Sequence, residues 1–65
     1  MPEDTEVRRT IHDLNNALTR ILTTAELIVE QADDETQIAR DARDIRSAAL
    51  EGRDLVTALA TRVLH

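Results

Sequence analysis

Polar side chains with the types and spacing needed for phosphoryl chemistry interrupt an apolar pattern between Thr10 and Leu22, in the segment TIHDLNNALTRIL. Residues four apart share one face of a helix. One face therefore carries what we call the polar row: Arg8, His12, Asn16 and Arg20. A histidine ring offers a nitrogen lone pair near neutral pH and can attack phosphorus, which forms a labile P–N bond. The row thus places His12 where phosphoryl transfer through its ring would require it.

The residues beside His12 suit that chemistry. Asp13 can orient the ring or accept its proton, and the amide of Asn16 can hydrogen-bond a phosphoryl oxygen or position a water. The arginines of the row supply countercharge. Asn15 and Asn16 are poor helix formers, so a requirement other than helix stability is expected to select them. An exposed histidine on a helix is more often inert surface, so the row alone is a weak signal.

Apolar residues spaced alternately four and three apart predict two long helices. The first apolar stripe, widened by Leu22 and Val29, predicts a helix over about residues 5–31: Val7, Ile11, Leu14, Leu18, Ile21, Ala25 and Ile28. The second stripe predicts a helix over about residues 35–63: Ile38, Ala42, Ile45, Ala49, Gly52, Val56, Leu59 and Val63. Asp34, with Gln37 three residues later, is the predicted N-cap of the second helix.

The chain is therefore predicted to be all-α, a single domain over residues 1–65 in which a short connection makes an antiparallel hairpin. Two helices cannot cover both apolar stripes, because each helix of a bundle touches two neighbours. There is no cysteine, and His12 and His65 lie at opposite ends of the chain, so neither a disulfide nor a metal is expected to reinforce the fold. The prediction is a homodimeric four-helix bundle.

Two details of the hairpin follow from the same pattern. A turn near Asp33 and Asp34 would set His12 opposite about Asp54 and Leu55. The residues expected to flank His12 are then Arg53, Asp54, Thr57 and Ala58. Gly52 lies on the second stripe, which indicates either a close approach of the facing helix or simple tolerance of glycine.

Composition argues against several partners. Thirteen acidic residues against eight basic ones, all arginine, give a formal net charge of -5. That balance argues against a general binder of nucleic acid or of anionic lipid. No apolar run approaches the roughly 20 residues that span a bilayer. We therefore expect a cytoplasmic protein that contacts neither membrane nor nucleic acid.

The string HDLNNALTRIL resembles the H-box of sensor histidine kinases, especially the subgroup whose motif reads H-D-F/L-N-N-x-L-T-x-I. The later DIRSAALEGRDLVTALA is similar in composition to the second helix of the same dimerisation and histidine-phosphotransfer (DHp) domain, so the resemblance covers nearly the whole chain. It implies a dimeric four-helix bundle in which His12 is phosphorylated and Asp13 is the assisting acid. Asn16 is then the amide used when water removes phosphate from a receiver aspartate, and Arg8 and Arg20 are electrostatic helpers.

The chain departs from that family in two respects. Ala17 stands where many members have proline, so no proline kink is expected. With one glycine and no glycine-rich phosphate loop, the chain is not expected to bind ATP or another cofactor. It would be either a fragment of a sensor kinase or a free-standing phosphocarrier.

The resemblance implies three partners: a second copy, a response-regulator receiver domain and the ATP-binding domain of a histidine kinase, with Mg²⁺ on the receiver or kinase. Two alternatives need no phosphotransfer. One is a purely structural dimerisation module. The other is a helical protein that offers its apolar stripe to another chain.

Overall fold

The computed structural model describes residues 2–64, with side chains from Asp4 onward, and His65 lies outside the described residues. Two α-helices, α1 (Pro2–Gln31) and α2 (Gln37–Val63), pack against each other as an antiparallel hairpin with extents of 50 × 15 × 12 Å. Over residues 2–64 there is no β-strand. The predicted all-α hairpin is confirmed.

The first helix begins earlier than the apolar pattern indicates and continues through Ala17 without a break. No apolar stripe residue precedes Val7, so the pattern cannot report the first turn. Proline is tolerated there because the first N–H groups of a helix have no intrahelical partner. No helix in the described part of the chain is long and apolar enough to cross a membrane.

Thr36, and not Asp34, is the N-cap of α2. Its backbone is extended, its hydroxyl oxygen accepts from the backbone N–H of Ala39 at 3.2 Å, and its hydroxyl donates to the Asp33 carbonyl at 2.7 Å. Asp34 is held differently, because the Arg43 guanidinium donates to its carbonyl oxygen at 3.0 Å and lies 3.6 Å from its carboxylate. The cap predicted at Asp34 is therefore wrong, since the chain does not turn into the helix until Thr36.

The hairpin core joins two large aliphatic side chains and one alanine of α1 to alanines of α2. Its buried members are Ile11, Leu22, Ala25, Ala39, Ala42 and Ala49. Small residues let two helices approach closely, and the same is true at Gly52, where an added Cβ would lie 3.1 Å from Cδ2 of Leu18. The helices therefore approach closely at Gly52, and an alanine there would require the Leu18 methyl to shift by a few tenths of an ångström.

The register of the hairpin differs from the predicted one by about a turn. Leu18 contacts Gly52, and Ile11 and Leu59 line one groove. In an antiparallel pair these contacts set His12 opposite about Ala58, which is about one turn further along α2 than the predicted Asp54 and Leu55. The shift follows from the late start of α2 at Gln37.

Each apolar stripe is divided between the hairpin core and a second side that stays exposed. Leu14 and Leu59 share one groove, of about 340 Å³, and Ile21 and Ile45 share another, of about 520 Å³. Leu14 and Ile21 are seven residues apart, so both grooves open on the same side of α1. We call this side the outer apolar face. Its large side chains are 42–47% exposed: Leu14, Ile21, Ile45, Leu59 and Val63.

Candidate functional site

His12 lies on a packed helix but its ring is open to solvent. Ile11, directly before it, is buried against α2, while the side chain of His12 is 74% exposed. Leu14 of the outer apolar face is two residues further on, which is about 200° around the helix. His12 therefore points away from the outer apolar face, and a partner that covers that face leaves the ring accessible.

The predicted site residues meet at one atom of the ring, Nδ1. The side-chain amide nitrogen of Asn16, one turn along α1, lies 3.4 Å from Nδ1. A carboxylate oxygen of Asp13 lies 3.8 Å from the same nitrogen, and that side chain is 71% exposed. Both side chains thus approach Nδ1, and Nε2 has no hydrogen bond or ion pair with the side chains described from residue 4 to 64.

These two neighbours favour opposite tautomers of a neutral imidazole. The Asn16 amide nitrogen can only donate, so it binds Nδ1 when the ring proton is on Nε2. The Asp13 carboxylate can only accept, so it favours a proton on Nδ1 and leaves the lone pair on Nε2. Only the second arrangement makes Nε2 a nucleophile.

The arginines divide into an engaged and a free group. At the start of α2, Arg40 donates to the carbonyl of Glu35 at 2.9 Å and to the Gln37 side chain at 3.2 Å, and Arg43 holds Asp34. Arg8 and Arg20 are exposed and have no hydrogen bond or ion pair with the side chains described from residue 4 to 64. Both guanidinium groups are exposed in the hairpin, and Arg20 also lines the groove of Ile21 and Ile45 on the outer apolar face.

A further surface, towards the hairpin turn, was not predicted from the sequence. A groove of about 420 Å³, which we call the side groove, is lined by Thr23, Glu26, Leu27, Val29, Glu30 and Arg46. Leu27 is 49% exposed and lies about 22 Å along α1 from His12. Leu27 is apolar but falls outside the stripe of α1, and that misfit is the signal that could have identified this surface.

Within residues 2–64, no three histidine, cysteine or acidic side chains are grouped so that they could hold a metal ion.

No model of a known protein family, no curated protein and no solved structure matches this chain.

The likeness to the DHp domain therefore depends on the segment His12 to Leu22 and on the composition of α2. The site itself depends on geometry: an exposed imidazole with an acid and an amide at Nδ1.

Proposed function

We propose that this chain is a histidine phosphotransfer module of a two-component phosphorelay in the cytoplasm. His12 takes a phosphoryl group from a response-regulator aspartate or a kinase, and passes it on. One observation carries the proposal: the ring of His12 is exposed, with Asp13 and Asn16 at Nδ1 and Nε2 left open.

The chemistry is a displacement at phosphorus. The Nε2 lone pair attacks the phosphorus of an aspartyl phosphate, a P–N bond forms, and the P–O bond breaks with its electrons going to the aspartate carboxylate. The proton on Nδ1 passes to Asp13 or water, so the ring ends neutral. Mg²⁺ bound by the receiver or kinase partner neutralises phosphoryl charge, and no metal on this chain is needed.

We further propose that the module works as a homodimeric four-helix bundle. The outer apolar face supports this, because a contiguous row of large exposed side chains is uncommon unless a partner covers it. A second copy offers a matching face through a two-fold axis, and a hairpin this small gains a core from it. His12 remains outside the bundle because it points away from the outer apolar face.

The proposed partners approach from the His12 side. A receiver domain would contact α1 from Asn15 to Leu22 and extend to the side groove, while the ATP-binding domain of a histidine kinase supplies phosphate from ATP. On the resemblance, Asn16 also assists water when phosphate is removed from the receiver aspartate.

The alternative is a purely structural dimerisation module, which the outer apolar face also favours. The two functions agree on the dimer and disagree on phosphate. Only phosphotransfer requires the exposed ring.

Labelled phosphate separates them. The chain is incubated with a phosphorylated receiver domain, and separately with a kinase ATP-binding domain and ATP, and the protein is tested for acid-labile, base-stable phosphate. We expect label on the wild type, and none on His12→Ala with helicity and dimer mass unchanged. If His12→Ala is still labelled, the phosphorylated residue is not His12. If the wild type is not labelled, the purely structural dimerisation module is the remaining function.

A further inference from the structure

We propose that Asp13 and Asn16 are alternating partners of His12 Nδ1: Asp13 prepares the ring for phosphoryl transfer, and Asn16 holds the phosphorylated ring. The inference rests on the proposed function and deepens it. It gives Asn16 a role on the imidazole itself, apart from any role at a receiver aspartate.

The geometry lets the two side chains exchange. Asp13 Oδ1 and Asn16 Nδ2 lie 3.8 Å and 3.4 Å from Nδ1. Neither side chain has a second hydrogen-bond or ion-pair partner in the described part of the chain, so nothing there restrains them from following the ring. Both distances are longer than a usual hydrogen bond of about 2.7–3.2 Å, so the ring must move towards either partner to engage it closely.

Before transfer, the acceptor at Nδ1 matters. With the proton on Nδ1 and Asp13 as its acceptor, the lone pair is on Nε2. As Nε2 bonds to phosphorus the ring gains positive charge, and the Nδ1 proton leaves through the Asp13 carboxylate to water. The ring is neutral at the end of the step.

After transfer, the requirement at Nδ1 is reversed. Nε2 is bonded to phosphorus, and Nδ1 carries a bare lone pair that can only accept. The Asp13 carboxylate, another acceptor, no longer matches it, whereas the Asn16 N–H does.

Loss of the phosphoryl group needs a proton back on Nδ1, because the P–N electron pair then returns to Nε2 and leaves a neutral ring. An amide is too weak an acid to supply that proton, and it occupies the lone pair that would take it. Asn16 therefore slows spontaneous loss, and Asp13, which relays a proton to Nδ1, promotes transfer in both directions.

The variants are chosen around a matched control. Asp13→Asn removes the acceptor-only group, and Asn16→Ala removes the donor. Gln31→Ala is the control, since Gln31 is an exposed side-chain amide on the same helix, about 28 Å along α1 from His12. All are made in a His65→Gln background, so that His12 is the one histidine observed.

The first measurement uses the unphosphorylated full chain labelled with ¹⁵N, well above the pH range in which imidazoles gain a proton. The nitrogen chemical shifts report which ring nitrogen carries the proton. Asp13→Asn is expected to lower the fraction protonated at Nδ1, Asn16→Ala to raise it, and Gln31→Ala to leave it unchanged. A general structural effect would not move the two variants in opposite directions.

The second measurement loads His12 with potassium phosphoramidate, whose P–N bond breaks as ammonia leaves with a proton, and follows the label by ³¹P NMR. Asn16→Ala is expected to shorten the lifetime of phosphorylated His12 by about two- to tenfold, the value of one hydrogen bond. Asp13→Asn is expected to slow loading by a similar factor and to lengthen the lifetime.

The outcomes distinguish the two proposals. If wild-type His12 loads but Asn16→Ala keeps the wild-type lifetime, or if both variants shift the tautomer the same way, the alternation at Nδ1 is wrong and phosphotransfer stands. If wild-type His12 accepts phosphate neither from phosphoramidate nor from a receiver, both the proposed function and this inference are wrong.

Discussion

Leu18 of α1 occupies the space that a side chain at Gly52 of α2 would need, since a Cβ at position 52 would lie 3.1 Å from Cδ2 and 3.5 Å from Cδ1 of Leu18. The two helices therefore lie close together at Leu18, which is one to two helical turns from His12. A side chain larger than a methyl group at position 52 would not fit at this separation.

A large side chain at this position should force the helices apart. Gly52→Leu is expected to lower the free energy of unfolding by about 1–3 kcal/mol, as overpacking does. Gly52→Ala should change it by less than about 1 kcal/mol, because the gain in helix propensity offsets the contact with a leucine methyl that can shift. Urea denaturation followed by circular dichroism, at one protein concentration, measures both.

The double variant Gly52→Leu with Leu18→Ala tests the cause. It should recover part of the lost stability, because the two side chains compete for one space. Strict additivity of the two single changes would mean that they do not.

A charge on the outer apolar face should prevent the proposed dimer. Ile21→Glu places a carboxylate where the second copy would bury it, which is expected to weaken dimerisation at least about tenfold. Leu27→Glu is the matched control, since Leu27 is 49% exposed and Ile21 47%, but Leu27 lies in the side groove. Sedimentation equilibrium measures both. A dimer equally tight in Ile21→Glu would contradict the proposed arrangement.

Loss of the observed cap should destabilise α2. Thr36→Ala removes the hydroxyl that accepts from the Ala39 N–H and is expected to lower the free energy of unfolding by about 1 kcal/mol. Thr36→Ser should retain most of it. Asp34→Ala removes only an exposed pairing with Arg43, worth about 0–1 kcal/mol. Thermal denaturation ranks the three variants, and a larger loss in Asp34→Ala than in Thr36→Ala would restore Asp34 as the cap.

Enlarging a buried alanine should be costly where enlarging an exposed one is not. Ala42 is 1% exposed, and Ala42→Leu is expected to cost about 1–3 kcal/mol through overpacking. Ala48 is exposed on the same helix, and Ala48→Leu should remain within about 0.5 kcal/mol of the wild type. Equal stabilities for the two variants would indicate a loosely packed hairpin. The same denaturation measurement applies.

The helices could be predicted because their apolar spacing is regular, but the spacing does not say which side of a broad stripe meets the other helix. In α1 the hairpin buries Ile11 and Leu22, half-buries Asn15, and leaves Leu14 and Ile21 outside. The four apolar residues all belong to the first stripe, so the stripe alone does not separate the buried ones from the exposed ones. The division depends on how closely the alanines of α2 allow the helices to approach, which is a property of the pair.

The cap and the site were predictable to different extents. Asp34 and Thr36 are both good N-cap residues, and the choice between them depends on where the backbone leaves its extended conformation. For the site, i to i+4 spacing was enough to bring Asn16 to His12. The meeting of Asp13 and Asn16 at the same ring nitrogen depends on side-chain rotamers, which sequence spacing does not determine.

His12 and Leu14 lie on opposite sides of α1. In this chain of 65 residues, the proposed dimer contact and the proposed reactive ring are therefore on different surfaces. Substitutions that retune how tightly copies associate need not touch the imidazole, and substitutions around the imidazole need not disturb association. Substitutions on the His12 side of α1 could therefore change the signalling partner during evolution while the Leu14 side, and with it the dimer, stays the same.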